Sequence, residues 1–149
     1  MKLKELCVLD VACCARTTTI AEAARLMRQH HTGDLIVIDE MDGAREPVGI
    51  VTDRDIVMEV IAKGRDVHGT TAAEIMAAPL VMAAEFEDVE TATERMRTHG
   101  VRRLPIVDDN GAVFGIVTLD DLYRVLAERT AALVAITTKE QTREHRGRR

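Results

Sequence analysis

Apolar residues along this chain follow two spacings, one typical of helices and one typical of strands, and each occurs twice. In residues 20–27 and 89–96 they recur every three or four positions, as on the buried face of an amphipathic helix. A run rich in β-branched residues follows each segment, at 35–38 and 104–107, and predicts a buried strand. We therefore predict a mixed α+β fold.

Turn signals divide the predicted elements in the same way in both halves. Gly33 and Gly100 lie where each first helix ends, and we expect both to adopt the left-handed backbone conformation. The dipeptides Asp-Gly at 42–43 and Asn-Gly at 110–111 favour hairpin turns because they tolerate positive φ. Each half therefore has the element order β-α-β-β-α. The first strands are predicted at 11–13 and 80–82, the returning strands at 48–51 and 113–117, and the starts of the second helices at Thr52 and Thr118.

This common order reflects an internal duplication. Shifting the chain by 69 positions aligns Glu5 with Glu74 and Met27 with Met96, and after a three-residue deletion the shift becomes 66. The tetrapeptide Gly-Ile-Val-Thr then falls on an identical tetrapeptide, with an aspartate three positions further on in each copy. We predict two repeats, at 1–69 and 70–138, and because each copy is small we expect them to share one core.

Residues 139–149 differ in composition from both repeats. They carry five Lys or Arg residues against two Glu and show no apolar periodicity, so we predict a disordered basic tail. Such a tail would favour nucleic-acid binding. A net charge of −5 and the shortage of aromatic side chains (no Trp, one Tyr and two Phe) argue against that partner.

The remaining composition excludes further classes of protein. Hydrophobic residues make up 46% of the chain, which is too many for a disordered protein. No uncharged apolar run approaches the roughly 18 residues of a membrane span, and the N-terminus lacks a signal peptide's apolar stretch, so we expect a cytoplasmic protein that contacts no membrane. Cys7, Cys13 and Cys14 form neither a disulfide framework nor a zinc set, and we predict no metal site. No nucleophile has a neighbouring base, so we do not predict an enzyme.

The repeated Gly-Ile-Val-Thr-x-x-Asp element carries the chemistry of the sequence. Its acids are Asp55 and Asp121, and its hydroxyl groups belong to Thr52 and Thr118. The glycine permits close approach of another backbone or a ligand. A carboxylate has two acceptor oxygens and can accept both hydroxyls of a ribose, so the element favours a sugar-binding site in each repeat.

An ordinary helix cap has the same spacing and is the alternative for each copy. Thr-x-x-Asp is the sequence of an N-terminal cap, and a single copy more often serves only that role. The complete strand–turn–helix string occurs in both repeats, which favours a further function. The copies differ at one position, where Arg54 supplies a cation for a phosphate and Asp120 does not, so we expect unequal sites.

The combined pattern resembles a tandem pair of cystathionine-β-synthase (CBS) domains. The stretches that carry the resemblance are 33–39, 47–55, 100–108 and 115–121, and it extends over residues 3–136. The resemblance implies two β-α-β-β-α repeats packed by pseudo-two-fold symmetry. It also implies a regulatory module, usually a homodimer, that binds AMP, ADP, ATP or S-adenosylmethionine in clefts between the repeats and requires no cofactor.

The same resemblance assigns roles to individual positions. It implies that Asp55 and Asp121 hold ribose hydroxyls, while Thr52 and Thr118 support the sugar or phosphate. Adenine would be held by main-chain groups near Cys13 and Ile36, or near Met82 and Pro105. Family members often carry Thr where Cys13 and Met82 stand, so side-chain contact with the base is not implied here. Cations that could hold a phosphate are Arg54, Arg102 and Arg103.

We therefore interpret the chain as a ligand-sensing module that dimerises through apolar helix faces and acts on an effector protein in trans. In such a module, the ligand shifts the population of one arrangement of repeats or subunits, and the effector recognises that arrangement. The alternative is a structural or protein-interaction module whose nucleotide sites are vestigial.

Overall fold

The structure is a computed structural model that describes residues 1–147. Its elements confirm the mixed α+β fold and the order β-α-β-β-α in each repeat. In chain order they are α1 (Leu3–Leu6), β1 (Cys13–Ala15), α2 (Ile20–His30), β2 (Asp34–Met41), β3 (Ala44–Thr52), α3 (Asp53–Asp55), a π-helical segment (Ile56–Ile61), α4 (Ala72–Ile75), β4 (Ala83–Ala84), α5 (Val89–His99), β5 (Arg103–Val107), β6 (Val113–Thr118) and α6 (Leu119–Gly147).

Each repeat contributes one three-stranded sheet, with the orders β1-β2-β3 and β4-β5-β6. In the first sheet β1 is parallel to β2, with Cys13 opposite Ile36, and β2 is antiparallel to β3. In the second sheet β4 is parallel to β5, with Ala83 opposite Ile106. The first strands start two or three residues later than predicted, because pairing with the central strand determines where they begin.

The first helix of each repeat forms for the reason that the apolar spacing predicts. In α2, Thr19 and Glu22 form a capping box, with the Glu22 N–H donating to Thr19 Oγ1 at 3.2 Å. The helix buries Ile20, Ala23 and Met27 against the sheet, and the corresponding apolar face of α5 is also buried. The core of the first repeat is completed by Leu35, Val37, Val51 and Val60, all inaccessible to solvent.

The first helices end at equivalent positions, and the prediction for Gly33 is wrong. The left-handed residues are His31, with φ of 52°, and Gly100, with φ of 65°, which are 69 positions apart. Gly33 lies two residues beyond the helix end, where a Cβ would stand 2.9 Å from Asp53 Oδ2. The side chain of Asp53 lies close to Gly33, while the left-handed turn itself is made by a histidine.

The segments that precede the first strands are exchanged between the repeats. Residues 2–8 pack on the second repeat, where the Val8 N–H donates to the Ile116 carbonyl at 2.9 Å. Residues 71–77 pack on the first repeat, where the Ala77 N–H donates to the Ile50 carbonyl at 2.9 Å. We call these two stretches the lead-in segments. Ala72 and Ile75 of the second stretch belong to the hydrophobic core of the first repeat, so each repeat packs against a segment that belongs to the other.

The glycine of each repeated motif makes room for a lead-in segment. A Cβ on Gly49 would lie 2.5 Å from Met76 Sδ. A Cβ on Gly115 would lie 2.8 Å from Cys7 Sγ and 2.9 Å from the Val8 carbonyl oxygen. Of the two roles that the sequence left open for these glycines, close approach of another chain segment is the one observed.

The last helix differs from the disordered tail that the composition predicts. Residues 1–117 form one compact unit, and among the described residues the second unit consists of Thr118 and α6. The helix continues through 139–147, and every residue from 126 to 147 is exposed. Good helix-forming residues extend the helix although it has no buried face there, whereas 148–149 lie outside the described residues. No helix within 1–147 is long and apolar enough to cross a membrane.

Candidate functional site

The first candidate junction is the turn from β3 into α3. Thr52 is the N-cap residue, with extended backbone at φ of −111°. The Thr52 N–H donates to Asp55 Oδ2 at 2.8 Å, and the Asp55 N–H donates to Thr52 Oγ1 at 3.2 Å. One further bond, from the Asp53 N–H to the Gly33 carbonyl at 2.9 Å, fixes this turn to the start of β2. The junction is thus a rigid capping box with both motif side chains half-buried.

The second candidate junction, from β6 into α6, has the same box with additional bonds. The Thr118 N–H and hydroxyl both donate to Asp121 Oδ2, at 2.9 and 2.8 Å. Arg124 donates to Asp121 Oδ1 at 2.9 Å. The side chain of Asp121 is consequently buried, with 7% of the residue exposed. Both carboxylate oxygens are already hydrogen-bonded within this unit.

The helix-cap role that Thr-x-x-Asp predicts is therefore present in both repeats. In each, one oxygen of the aspartate accepts from the main chain of its own cap. The two copies differ in which hydrogen-bonding groups of the aspartate and threonine remain without a partner. Within residues 1–147, Asp55 Oδ1 accepts no hydrogen bond and the Thr52 hydroxyl donates none, whereas the equivalent groups of Asp121 and Thr118 are both bonded.

The three candidate phosphate cations have different surroundings. Arg103 forms an ion pair with Asp34, in which the Arg103 Nε donates to Asp34 Oδ2. Arg54 is exposed, and its main-chain N–H donates to Asp53 Oδ1 at 2.8 Å. Arg102 is also exposed. Of these three arginines, only Arg103 is thus held in place by an acid. The sequence did not predict a role for Asp34. The signal that could have indicated it is that Asp34 and Arg103 occupy equivalent positions of the two repeats, 69 residues apart.

Some main-chain groups at the predicted adenine-binding positions already form hydrogen bonds within the protein. Cys13 and Ile36 are direct neighbours across β1 and β2, as expected, but the Ile36 N–H already donates to the Ala12 carbonyl at 3.0 Å. Met82 is exposed, and its carbonyl accepts from Arg95 at 2.8 Å. Pro105 is buried and has no N–H to offer. The Ile36 N–H and the Met82 carbonyl are therefore already bonded within the protein.

Two cavities lie in the first repeat. One of about 650 Å³ lies where β1 and β2 end, and its lining includes Cys13 and the exposed ion pair of Arg16 with Asp39. The other, of about 580 Å³, lies between the end of α2 and the π-helical segment, and its lining includes Asp53. Neither of these two cavities is lined by Thr52 or Asp55.

The cysteines beside the larger cavity are poor nucleophiles. Burial, assisted by the neighbouring Cys13, raises the pKa of the Cys14 thiol to about 11. Burial also raises the pKa of Cys13, although Arg45 acts in the opposite direction. Both thiols are protonated at neutral pH, in keeping with small side chains that fill space in a strand. Residues 1–147 contain no group of three or more His, Cys, Asp or Glu that could hold a metal ion.

Comparison with known proteins identifies the architecture. The family model described as "CBS domain" matches twice, at residues 3–62 and 72–128, which together make up most of the chain. Among curated proteins, the uncharacterized protein MK0525 of Methanopyrus kandleri is 40% identical over 116 residues. That match covers 78% of this chain and 58% of MK0525, so the chain spans little more than half of the length of this relative.

Two solved structures with adenosine ligands have a similar fold. The CBS domain pair of protein MJ0100, in complex with 5′-methylthioadenosine and S-adenosyl-L-methionine, is 28% identical with a TM-score of 0.75 and covers 87% of this chain and 98% of its own. The CBS domain protein PAE2072 of Pyrobaculum aerophilum, complexed with AMP, is 27% identical with a TM-score of 0.73. That alignment covers 82% of this chain and 90% of the PAE2072 chain.

Proposed function

This chain belongs to the CBS domain family as a tandem pair, and on that premise we propose that it is a regulatory module that binds an adenosine-containing ligand at the first junction. The role is non-enzymatic. The ligand classes are those bound by the two similar structures, AMP on one side and S-adenosylmethionine or 5′-methylthioadenosine on the other, with ADP and ATP as related candidates.

The observation that carries this proposal is the unused hydrogen-bonding capacity of the first junction. Within residues 1–147, Asp55 Oδ1 and the hydroxyl hydrogen of Thr52 have no partner, although both residues are half-buried. Among the described residues no buried side-chain nitrogen or oxygen lacks a partner, so these two groups are open to solvent and available to a ligand that supplies a donor and an acceptor. A ribose diol supplies both, since each hydroxyl donates and accepts.

The second junction has less capacity for the same ligand. Both oxygens of Asp121 and the Thr118 hydroxyl are bonded, and the carboxylate also pairs with Arg124. A ribose could bind there only after displacing Arg124 or opening the cap. We therefore expect the site of Thr118 and Asp121 to bind more weakly than the site of Thr52 and Asp55.

Signalling in this proposal proceeds through assembly. Exposed apolar side chains on the π-helical segment, Val57, Met58 and Ile61, offer a surface through which two copies could form a homodimer. A ligand that binds one arrangement of the dimer more tightly shifts the population toward it, and an effector protein in trans would recognise that arrangement. A sedimentation measurement on the chain and on Ile61→Glu tests this part, because the variant is expected to be monomeric.

Titration calorimetry on matched variants tests the ligand site. Asp55→Ala is expected to lower the affinity for AMP or S-adenosylmethionine at least tenfold, because it removes the only free carboxylate oxygen of the box. The helix should persist, since the residue 55 N–H still reaches Thr52 Oγ1, at a cost of about 1 kcal/mol in stability. Asp121→Ala is the matched control and should change this affinity less than threefold.

Two outcomes would contradict the proposal. An unchanged affinity in Asp55→Ala would show that the ligand does not bind at the first junction. Absence of any thermal shift with AMP, ADP, ATP or S-adenosylmethionine would favour the structural or protein-interaction module, because a ligand at about 100 times its Kd adds roughly 2.7 kcal/mol. The complete capping boxes in both repeats are the specific observation in favour of that second function.

A further inference from the structure

The ion pair of Asp34 and Arg103 joins equivalent positions of the two repeats. Asp34 is the first residue of β2 and Arg103 the first residue of β5, and their separation of 69 positions equals the repeat offset. In an exact duplication, identical residues would meet here and like charges would repel. Opposite charges at this one contact both attract the repeats and make them chemically different.

This pair is better shielded than the other ion pair of β2. The side chains of Asp34 and Arg103 are 14% and 34% exposed, against 36% and 45% for Asp39 and Arg16 at the far end of the strand. Attraction between charges is stronger where water is excluded, and an acid left without its partner there is correspondingly costly.

Asp34 also lies beside the first junction. It is the cross-strand partner of Thr52, and such partners in an antiparallel pair have Cα atoms about 4.5–5.5 Å apart. The preceding residue, Gly33, accepts the hydrogen bond from Asp53 that fixes the turn. Because Thr52 shares its capping box with Asp55, the Asp34–Arg103 pair neighbours the group to which we assign the ribose.

We propose that Asp34 is a specificity residue that makes the first junction favour adenosine ligands with a neutral or cationic 5′ substituent over 5′-phosphates. The inference rests on the proposed function and specifies the ligand class of the same site. Arg103 is the cation with which a phosphate would pair, and the carboxylate of Asp34 already neutralises its charge. A phosphate must displace the carboxylate or share the guanidinium with it, and in both cases two anionic groups are brought together.

Ligands without a phosphate avoid this conflict. The 5′ thioether of 5′-methylthioadenosine leaves the ion pair intact, and the sulfonium of S-adenosylmethionine adds a cation near three carboxylates. Those carboxylates belong to Asp34, Asp53 and Asp55, whereas the nearby cations are Arg54 and Arg103. The two acids of the capping turn, Asp53 and Asp55, thus add to the repulsion of an anionic ligand.

Calorimetry with AMP and 5′-methylthioadenosine tests the assignment. The wild-type chain is expected to bind 5′-methylthioadenosine at least tenfold more tightly than AMP. In Asp34→Asn, Arg103 loses its acid and becomes available to the phosphate, so the affinity for AMP should rise about tenfold while that for 5′-methylthioadenosine changes less than twofold. Asp39→Asn, which breaks the other ion pair of β2, is the matched control and should leave the ratio unchanged.

Each result distinguishes the inference from the function on which it rests. A wild-type preference for AMP, or an unchanged ratio in Asp34→Asn, overturns the role of Asp34 and leaves nucleotide binding intact. If the wild-type chain binds none of these ligands, both proposals are wrong. Should Asp34→Asn fail to fold, Asp34→Ser provides the second variant, and an unchanged ratio of the two affinities in it overturns the role of Asp34.

Discussion

The two strand-to-helix junctions start from the same sequence element and end in different chemical states. At the first, the capping box leaves one carboxylate oxygen of Asp55 and the Thr52 hydroxyl hydrogen without a partner in the described part of the chain. At the second, Asp121 is bonded through both oxygens and is buried. A duplicated motif therefore predicts two equal caps but does not predict two equal binding sites.

The turn that follows the first strand is stabilised by different residues in the two repeats. In the turn after β1, the Ala15 N–H donates to the Thr18 hydroxyl at 3.0 Å. In the turn after β4, the Ala84 N–H donates to the Glu87 carboxylate at 2.8 Å, and Glu87 also pairs with Arg95. The backbone geometry is retained while the second repeat gains a titratable group. The two repeats thus share a turn geometry but differ in whether an ionisable group supports it.

The largest expected difference between the repeats concerns the motif glycines. Gly115→Ala should destabilise the fold by about 2–3 kcal/mol, because the new Cβ would stand 2.9 Å from the Val8 carbonyl oxygen, which is itself bonded to Ile116. Gly49→Ala should cost less, about 1–2 kcal/mol, since the new methyl meets the side chain of Met76, of which Sδ and Cγ can move but Cβ, at 3.1 Å, is held by the main chain. Urea unfolding at equal protein concentration measures both. An equal loss in the two variants would show that the lead-in segments adapt equally well.

A smaller difference is expected at the ends of the first helices. Gly100→Ala should lower stability by about 1 kcal/mol, because an L-residue is strained in the left-handed conformation. His31→Gly should raise stability by about 0.5 kcal/mol, because relief of strain at φ of 52° exceeds the added entropy of an unfolded glycine. Thermal unfolding monitored by circular dichroism measures the two shifts. Shifts of the same sign would contradict the assignment of equivalent helix ends.

The smallest expected effect is the pH dependence that Glu87 adds to the second repeat. Partial burial opposes ionisation of Glu87, but hydrogen bonds from Arg95 and the Ala84 N–H outweigh it and hold the pKa of Glu87 below its usual 4.5. The resulting stability is fully present above pH 4.5 and is lost as the pH falls through the lowered folded-state value. Glu87→Thr, which copies Thr18, should flatten the decline of Tm below pH 4.5. An unchanged decline would remove Glu87 as its cause.

Much of the architecture was accessible from local patterns. The helices over 20–27 and 89–96, the central strands and the hairpins all follow from apolar spacing and turn chemistry, which depend on residues close together in the chain. The cap formed by each Thr-x-x-Asp is also local and was predicted as the alternative to a ligand site. The prediction for Gly33 failed because the left-handed residue is His31, two positions earlier, and the Gly33 carbonyl instead accepts from the Asp53 N–H, a contact that depends on the pairing of β2 with β3.

The sequence by itself determined that this chain is a duplicated β-α-β-β-α unit with an acid at the start of each second helix, because periodicity and repetition are written in residue order. Only the tertiary structure decided that the lead-in segments exchange repeats and that Asp34 meets Arg103. It also decided that Asp121 is fully bonded while Asp55 is not. These features depend on which hydrogen-bonding groups come together in space, and a side chain's bonding capacity is known only when its neighbours are in place.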